Sequence, residues 1–383
     1  MFRLYFPNKN YAALYLHVFV ESIGHRILEI FTGVLFYHLG MPLPFILLFF
    51  GFEFGLRGLI SPISPVIVSK IGVRNAVALS YFFLLIFFVL VGITHVSLIL
   101  GFSSFIFQSL SRGIYYPCID TIHSVFVKDG SRGKQYTLEL VFVAIAGLLA
   151  VSVGASVLAG NFLLAVIVLV VVLALAVVSL FFMDTVPFTA TARVSDSYRF
   201  LASTEFRQNI LPLSGQSIAI IANQIVVPLY LFILVKESTS SFSFVVVLGI
   251  IIQMIITLLY GVWVDRKGYK KTLEGASFLQ AIGNIGYILA MRASSLLVFL
   301  IGFNNTTWAM YSSNYNSRIQ EKANKSLNPF LFNTAVQMTL CFVEIVALAI
   351  FALIAWRWNN AVFPVIFICS IFSLFISTKY FKD

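Results

Sequence analysis

The chain has 383 residues, of which 60% are hydrophobic and only 10% charged, with a formal net charge of +10. A soluble domain typically carries about 25% charged residues, and the 25 Lys/Arg and 15 Asp/Glu here are too few to cover a soluble surface of this size. The basic residues are scattered singly and in short clusters between apolar runs, which excludes a nucleic-acid-binding face.

Apolar runs of about 20 residues suffice to cross a hydrocarbon core of roughly 30 Å, and such spans must be helices because only a helix satisfies its own backbone groups there. The sequence predicts them near 11–37, 43–69, 75–93, 97–126, 136–159, 162–183, 209–234, 242–263, 273–291, 294–319, 329–354 and 360–378. The first carries His17, Glu21, His25, Arg26 and Glu29, so it lacks the short uncharged core of a cleavable signal and is expected to stay in the mature protein. The longest polar connection, 184–207, divides the spans six and six. The expected fold is an all-α integral membrane protein of 12 transmembrane helices in two six-helix pseudo-repeat bundles, 1–183 and 208–383, joined by a cytoplasmic linker.

Placing both termini and every second loop on one side collects 19 of the 25 Lys/Arg there. The other side receives Lys236, Arg292 and Arg357, while Arg26, Arg57 and Arg112 fall inside spans. The positive-inside rule then predicts cytoplasmic termini in the cell (inner or plasma) membrane. Cys118, Cys341 and Cys369 all lie in apolar runs, so neither a disulfide framework nor a metal site is expected.

A charged knot interrupts the apolar pattern after the eighth span: Gly261, Asp265, Arg266, Gly268, Lys270 and Lys271. It has a counterpart after the second span, where Gly72 matches Gly268 and Arg74 matches Lys270. The knot resembles the cytoplasmic signature loop of the major facilitator superfamily, Gly-x-x-x-Asp-Arg-x-Gly followed by two basic residues. Arg132 and Gly133, after the fourth span, resemble another recurring loop of that family. Two departures stand out: Ser69 replaces the acid of the first loop, and Tyr269 replaces a basic residue in the second. The resemblance implies a cytoplasmic gate, in which Asp265 faces a helix N-terminus and Arg266 and Lys271 pair with acids such as Glu321. Topological anchoring is the plainer role for the same residues.

Ionisable groups inside spans are costly and usually face a cavity or a partner. His17, Glu21, His25 and Glu29 recur every four residues along one helical stripe, suited to binding and releasing protons. Neutralisation of Arg26 or another arginine by Glu21 or Glu29 is the structural alternative. Glu53 and Arg57 stand four apart and are expected to form a local pair. Arg112, flanked by Gln108 and Tyr115 at helical spacing, is a better candidate for contacting cargo, whereas Asp120 and His123 are assigned to the loop network. In the second half Gln216, Asn223 and Tyr230 share one face, as do Asn304, Trp308, Tyr311 and Tyr315, and Asn333, Gln337 and Glu344.

The candidate coupling residues are Glu21, His25, Glu29 and Glu344. The candidate substrate residues are Arg26, Arg57, Arg112, Tyr115, Asn223, Asn304, Trp308, Tyr311, Asn333 and Gln337. No Walker-type loop and no catalytic motif is present, so neither ATP nor enzymatic chemistry is expected, and no cofactor. The expected function is secondary active transport of a small solute by alternating access, coupled to protons, with an organic anion as cargo and a single chain as the working unit. A drug/proton antiporter is one alternative, although Ala155 stands where that branch has proline. A transport-inactive sensor or scaffold on the same fold is the other.

Overall fold

The computed structural model describes residues 9–92, 98–126, 132–158, 162–184, 192–267, 269–290 and 297–381. Side chains at several positions inside the helices, including 28–31, 132–134 and 261–267, lie outside this description. Among the described residues the secondary structure is entirely helical.

The first half contains α1 (Lys9–His38), α2 (Leu43–Ile60), α3 (Ser64–Gly92), α4 (Leu98–Phe126), α5 (Arg132–Leu158) and α6 (Phe162–Leu180). Two glycines set its turns. Gly40 adopts φ +82° and closes α1, with its N–H donating to Tyr37 O at 2.9 Å and the Met41 N–H to Phe36 O at 3.0 Å. Pro42 follows, and the chain cannot continue the helix through it. Gly72, at φ 80° and ψ 161°, breaks α3 into two rods, so the predicted second span runs through α2 and a short 3-10 turn into the first rod. The third span is the second rod.

The connection between halves is partly helical, with α7 (Val194–Leu201) and α8 (Thr204–Arg207). Asp184, where it begins, accepts from Lys9 at 2.7 Å and from Asn10 at 2.9 Å. The bond from Lys9, then that from Asn10, holds its carboxyl below the usual carboxylate range. Phe206 of α8 is fully buried against Phe332, at 5.4 Å between ring centroids, so the connection is anchored in the second half.

The seventh span is α9 (Ile210–Ile220), a π turn over Ile221–Val226, and α10 (Val227–Leu234). The rest are α11 (Thr239–Lys267), α12 (Tyr269–Ala290), α13 (Leu297–Lys325), α14 (Pro329–Trp358) and α15 (Val362–Lys379). The start of α14 is fixed by Asn328, whose side chain accepts from the Leu331 N–H at 3.1 Å, with Pro329 in the first turn. Each of the twelve predicted spans coincides with a helix or a helix pair of this kind.

Two seams join the halves, α2 along α14 and α5 along α11. Small residues let the backbones approach, as in other membrane helix pairs. A methyl group added at Gly55 would sit 2.5 Å from Ile345 Cδ1, one at Gly58 3.0 Å from Cys341 Cβ, and one at Gly147 3.3 Å from Ile250 Cδ1. One apolar cluster spans both halves at the end carrying Met41, through Phe36, Phe49, Phe232 and Phe351. Separate clusters fill each half nearer the opposite end, which carries Gly72 and most of the Lys/Arg and is here called the basic end. The outer faces display large apolar side chains such as Phe82, Leu289, Phe299, Leu353 and Phe372, a surface made for lipid rather than water.

Candidate functional site

Between the halves lies a cavity of about 250 Å³ lined by Arg26, Arg57, Arg112, Tyr116 and Asp120 from the first half. Gln216, Gln253, Trp308, Asn316, Gln337 and Glu344 face them from the second. A smaller recess of about 100 Å³ shares Arg26, Gln224, Gln253 and Trp308 with it and extends between α5, the seventh span, α11 and α13. A third recess, about 180 Å³, opens from Arg26 and Asp120 into the first half and is lined by Glu21, His25, Tyr115, His123 and Glu139. Arg26 and Gln224 border all three.

The charges are ordered by tertiary contacts that sequence spacing does not reveal. Arg57 does not pair with Glu53, as the four-residue spacing suggested. Its Nη2 donates to Glu344 Oε2 at 3.2 Å and its Nε to Cys341 Sγ at 2.9 Å, both on α14 of the other half. Phe54 and Tyr116 flank the guanidinium at 4.6 and 5.3 Å from their ring centroids. Glu53 instead lies 4.0 Å from Arg112 Nη1, and neither of its carboxylate oxygens accepts a hydrogen bond. The helix between them turns Arg57 toward α14 and Glu53 toward α4, and the glycines of α2 bring α14 close enough to compete for the guanidinium.

Along α1 the predicted stripe divides into separate roles. His17 is fully buried, with Nδ1 2.9 Å from Ser179 Oγ and 3.1 Å from Ala176 O, and Nε2 2.9 Å from Tyr81 Oη. It therefore ties α1 to α3 and α6. Glu21 Oε1 and His25 Nδ1 are in direct contact on one side of the third recess, and His25 stacks on Tyr115 with ring centroids 5.3 Å apart. The Glu29 side chain lies outside the described residues.

Asp120 and His123, assigned by spacing to the loop network, both meet partners on helices, while the loop 127–131 that follows them lies outside the described residues. Asp120 lines the cavity and its two oxygens accept from Gln337 at 3.0 Å and from Gln320 at 3.5 Å, on α14 and α13 of the other half. His123 lies 3.3 Å from Glu139 of α5, a carboxylate that no periodic pattern singles out. Asn333 donates to Thr121 Oγ1 at 3.2 Å, a further bond between halves at the basic end. Gln337 thus reaches the cavity, whereas Asn333 serves the interface beside it.

The amides of the second half are mostly engaged with one another. Asn223, on the π turn, and Asn304 bond to each other at 3.0 Å, and Gln280 donates to them at 2.9 and 2.8 Å. Thr307 closes this network on Gln280 at 2.6 Å, and Asn284 of α12 donates to Ser370 of α15 at 3.1 Å. Gln280 and Asn284 were missed because α12 otherwise reads as an apolar span, but their four-residue spacing on one face was available. Trp308 reaches the cavity. Tyr311 points behind it, its hydroxyl 2.6 Å from Ser377 of α15.

The proposed gate residues are only partly described. The side chains of Asp265, Arg266, Lys270 and Arg132 and the whole of Gly268 lie outside the described residues, while Gly261 is placed only as backbone of α11. Lys271 is exposed, and Glu321 is held by Arg318 at 3.2 Å and Lys325 at 2.5 Å on its own helix rather than by Lys271. Arg74 donates to Met183 O at 2.6 Å and covers the Phe181 ring, closing the end of α6.

The arrangement is a polar cavity between two helical halves, with ion pairs and hydrogen bonds crossing from one half to the other. The sequence model described as Major Facilitator Superfamily matches residues 14–343. None of the curated proteins matches the sequence. Among solved structures, the E. coli fucose:proton symporter FucP superposes with a TM-score of 0.66 at 11% identity, over 97% of this chain and 98% of that one. The human organic anion transporter MFSD10 gives 0.64 at 13% identity, over 96% and 99%. A bacterial homologue of the iron transporter ferroportin, in an outward-facing state, gives 0.64 at 14% identity, over 97% and 98%. At such identities the likeness is one of fold, and the substrates named belong to those proteins. Helical architecture and the match over most of the sequence lead to one conclusion: the chain belongs to the major facilitator superfamily and is a multi-pass integral membrane transporter.

Proposed function

We propose that the protein carries a small organic anion by proton-coupled alternating access, the half 1–183 rocking against the half 208–383 about the connection 184–207. The observation that carries this reading is the convergence of Arg26, Arg57 and Arg112, from three helices of the first half, on one cavity whose described lining holds only Asp120 and Glu344 as acids. Arginine keeps its charge in any environment and presents a planar fork to carboxylate or phosphate.

Coupling is assigned to the Glu21–His25 pair, which opens on the recess beside the cavity, with Glu344 at the interface as a second site. Glu29, one turn further along α1, stays a candidate on its spacing. Substrate contacts are assigned to Arg26, Arg112, Trp308 and Gln337, with Arg57 released from Glu344 as the halves move. Asp265 and its basic neighbours are assigned to the gate at the basic end, which the positive-inside rule makes cytoplasmic. One chain encloses the cavity, so a monomer is the proposed unit.

The test is uptake into proteoliposomes of labelled organic anions, neutral sugars and cationic dyes, each with and without an imposed pH gradient. Gradient-driven accumulation of an anion is the expected outcome. Movement of cationic dyes alone would replace this reading with an antiporter of drug-like cations.

A further inference from the structure

The two walls of the cavity differ in kind. The first half supplies the arginines and Asp120, and the second half, apart from Glu344, supplies neutral polar groups. Among the latter, Gln224 on the π turn, Gln253 on α11, and Asn305 and Asn316 on α13 line the cavity or its smaller recess. None of these four side-chain amides has a hydrogen-bond partner among the described residues. The contrast with their neighbours is direct: Asn223 beside Gln224, and Asn304 beside Asn305, are satisfied by Gln280 and by each other.

An amide presents two donors and two acceptor positions. Leaving several of them unmatched inside a membrane protein costs free energy that only water or a ligand offsets. The chemistry that matches such a wall is a set of groups that both donate and accept, which is the property of an alcohol. A carboxylate only accepts and is better served by the arginines opposite, and an ammonium only donates. Trp308, bordering both the cavity and the recess, adds a flat apolar face against which the carbon backbone of such a molecule can lie. Asn223 and Gln224 both sit on the π turn and both border the smaller recess, but Asn223 is taken up by the amide network while Gln224 also lines the cavity.

Building on the organic-anion reading above, we propose that the transported anion is polyhydroxylated, of the sugar-acid or hydroxy-acid class. Its charged end is held by the arginines of the first half, and its hydroxyl groups are bound by Gln224, Gln253 and Asn305. The charged end sets the sign of the substrate; the amide wall selects among anions of similar size.

The experiment is equilibrium binding to the purified full-length protein of three probes with six carbons: gluconate, hexanoate and sorbitol. Gluconate is expected to bind at least tenfold more tightly than either of the others. Gln253→Leu and Asn305→Leu should each weaken gluconate about tenfold, the scale of one good hydrogen bond, and leave hexanoate unchanged. Equal affinity for gluconate and hexanoate, unmoved in both variants, would overturn the hydroxyl assignment and leave the anion reading standing. Sorbitol binding as tightly as gluconate, with hexanoate silent, would overturn the anion reading and with it the proposed class. Silence of all three in protein that melts cooperatively would overturn the proposal.

Discussion

Arg57 and Glu344 stand 287 positions apart in the chain and meet at 3.2 Å between α2 and α14, with both side chains buried. This ion pair spans the two halves at the wall of the cavity. A transporter that rocks one half against the other must lengthen it, exchange it, or carry it through the cycle.

Removing one partner of a buried pair leaves the other uncompensated, at a cost of about 3–5 kcal/mol, whereas replacing both by apolar groups is often neutral. Glu344→Leu should therefore lower the thermal stability of the purified protein markedly. The double variant Arg57→Leu with Glu344→Leu should recover most of that loss. If the pair also works in transport, the double variant stays folded and inactive in uptake; full uptake by it would assign the pair a purely structural role.

Glu21→Gln should abolish accumulation driven by a pH gradient while leaving counterflow of substrate measurable, because exchange needs no net proton movement. Equal loss of both would remove Glu21 from coupling. His17→Phe gives the contrast within the same helix. Burial of the Tyr81 hydroxyl and Ser179 without their partner should cost about 1–3 kcal/mol of stability, with the pH dependence of uptake unchanged.

At the basic end, Gln337 and Gln320 donate to Asp120, and Asn333 donates to Thr121. Gln337→Leu should weaken this closure. A single cysteine at Ser124, in a chain cleared of Cys118, Cys341 and Cys369, should then label faster with a maleimide. Asp265→Asn belongs in the same assay: faster labelling supports a latch at Asp265, and an unchanged rate leaves it as an anchor of topology.

Gly72 adopts backbone angles that residues with a Cβ scarcely tolerate, while no described atom beyond the adjoining backbone lies within 4 Å of where that Cβ would be. Gly72→Ala should therefore destabilise by about 1–3 kcal/mol through backbone strain alone. A melting temperature equal to that of the parent protein would show that the break in α3 relaxes without a glycine.

The sequence by itself determined the twelve spans, including the interruption between 69 and 75 and the start of the eleventh span at 329, because bilayer-length apolar runs and the polar breaks between them are local chemistry. The left-handed backbone of Gly72 and the Asn328 cap that realise two of these breaks came from the structure. It also singled out nearly every charged side chain of the cavity, since an ionisable group in an apolar helix stands out whatever its partner. The partners were decided only by tertiary structure. Helical spacing pointed Arg57 at Glu53, but the small-residue seam of α2 brings α14 within reach, and the guanidinium crosses to the other half. Asp120 read as part of a loop network until Gln320 and Gln337 arrived from helices some 200 positions away. The unsatisfied amides of the second wall were illegible for the same reason. Whether an amide in a membrane helix glues its neighbours or faces a cavity depends on which side chains the fold places within hydrogen-bonding distance.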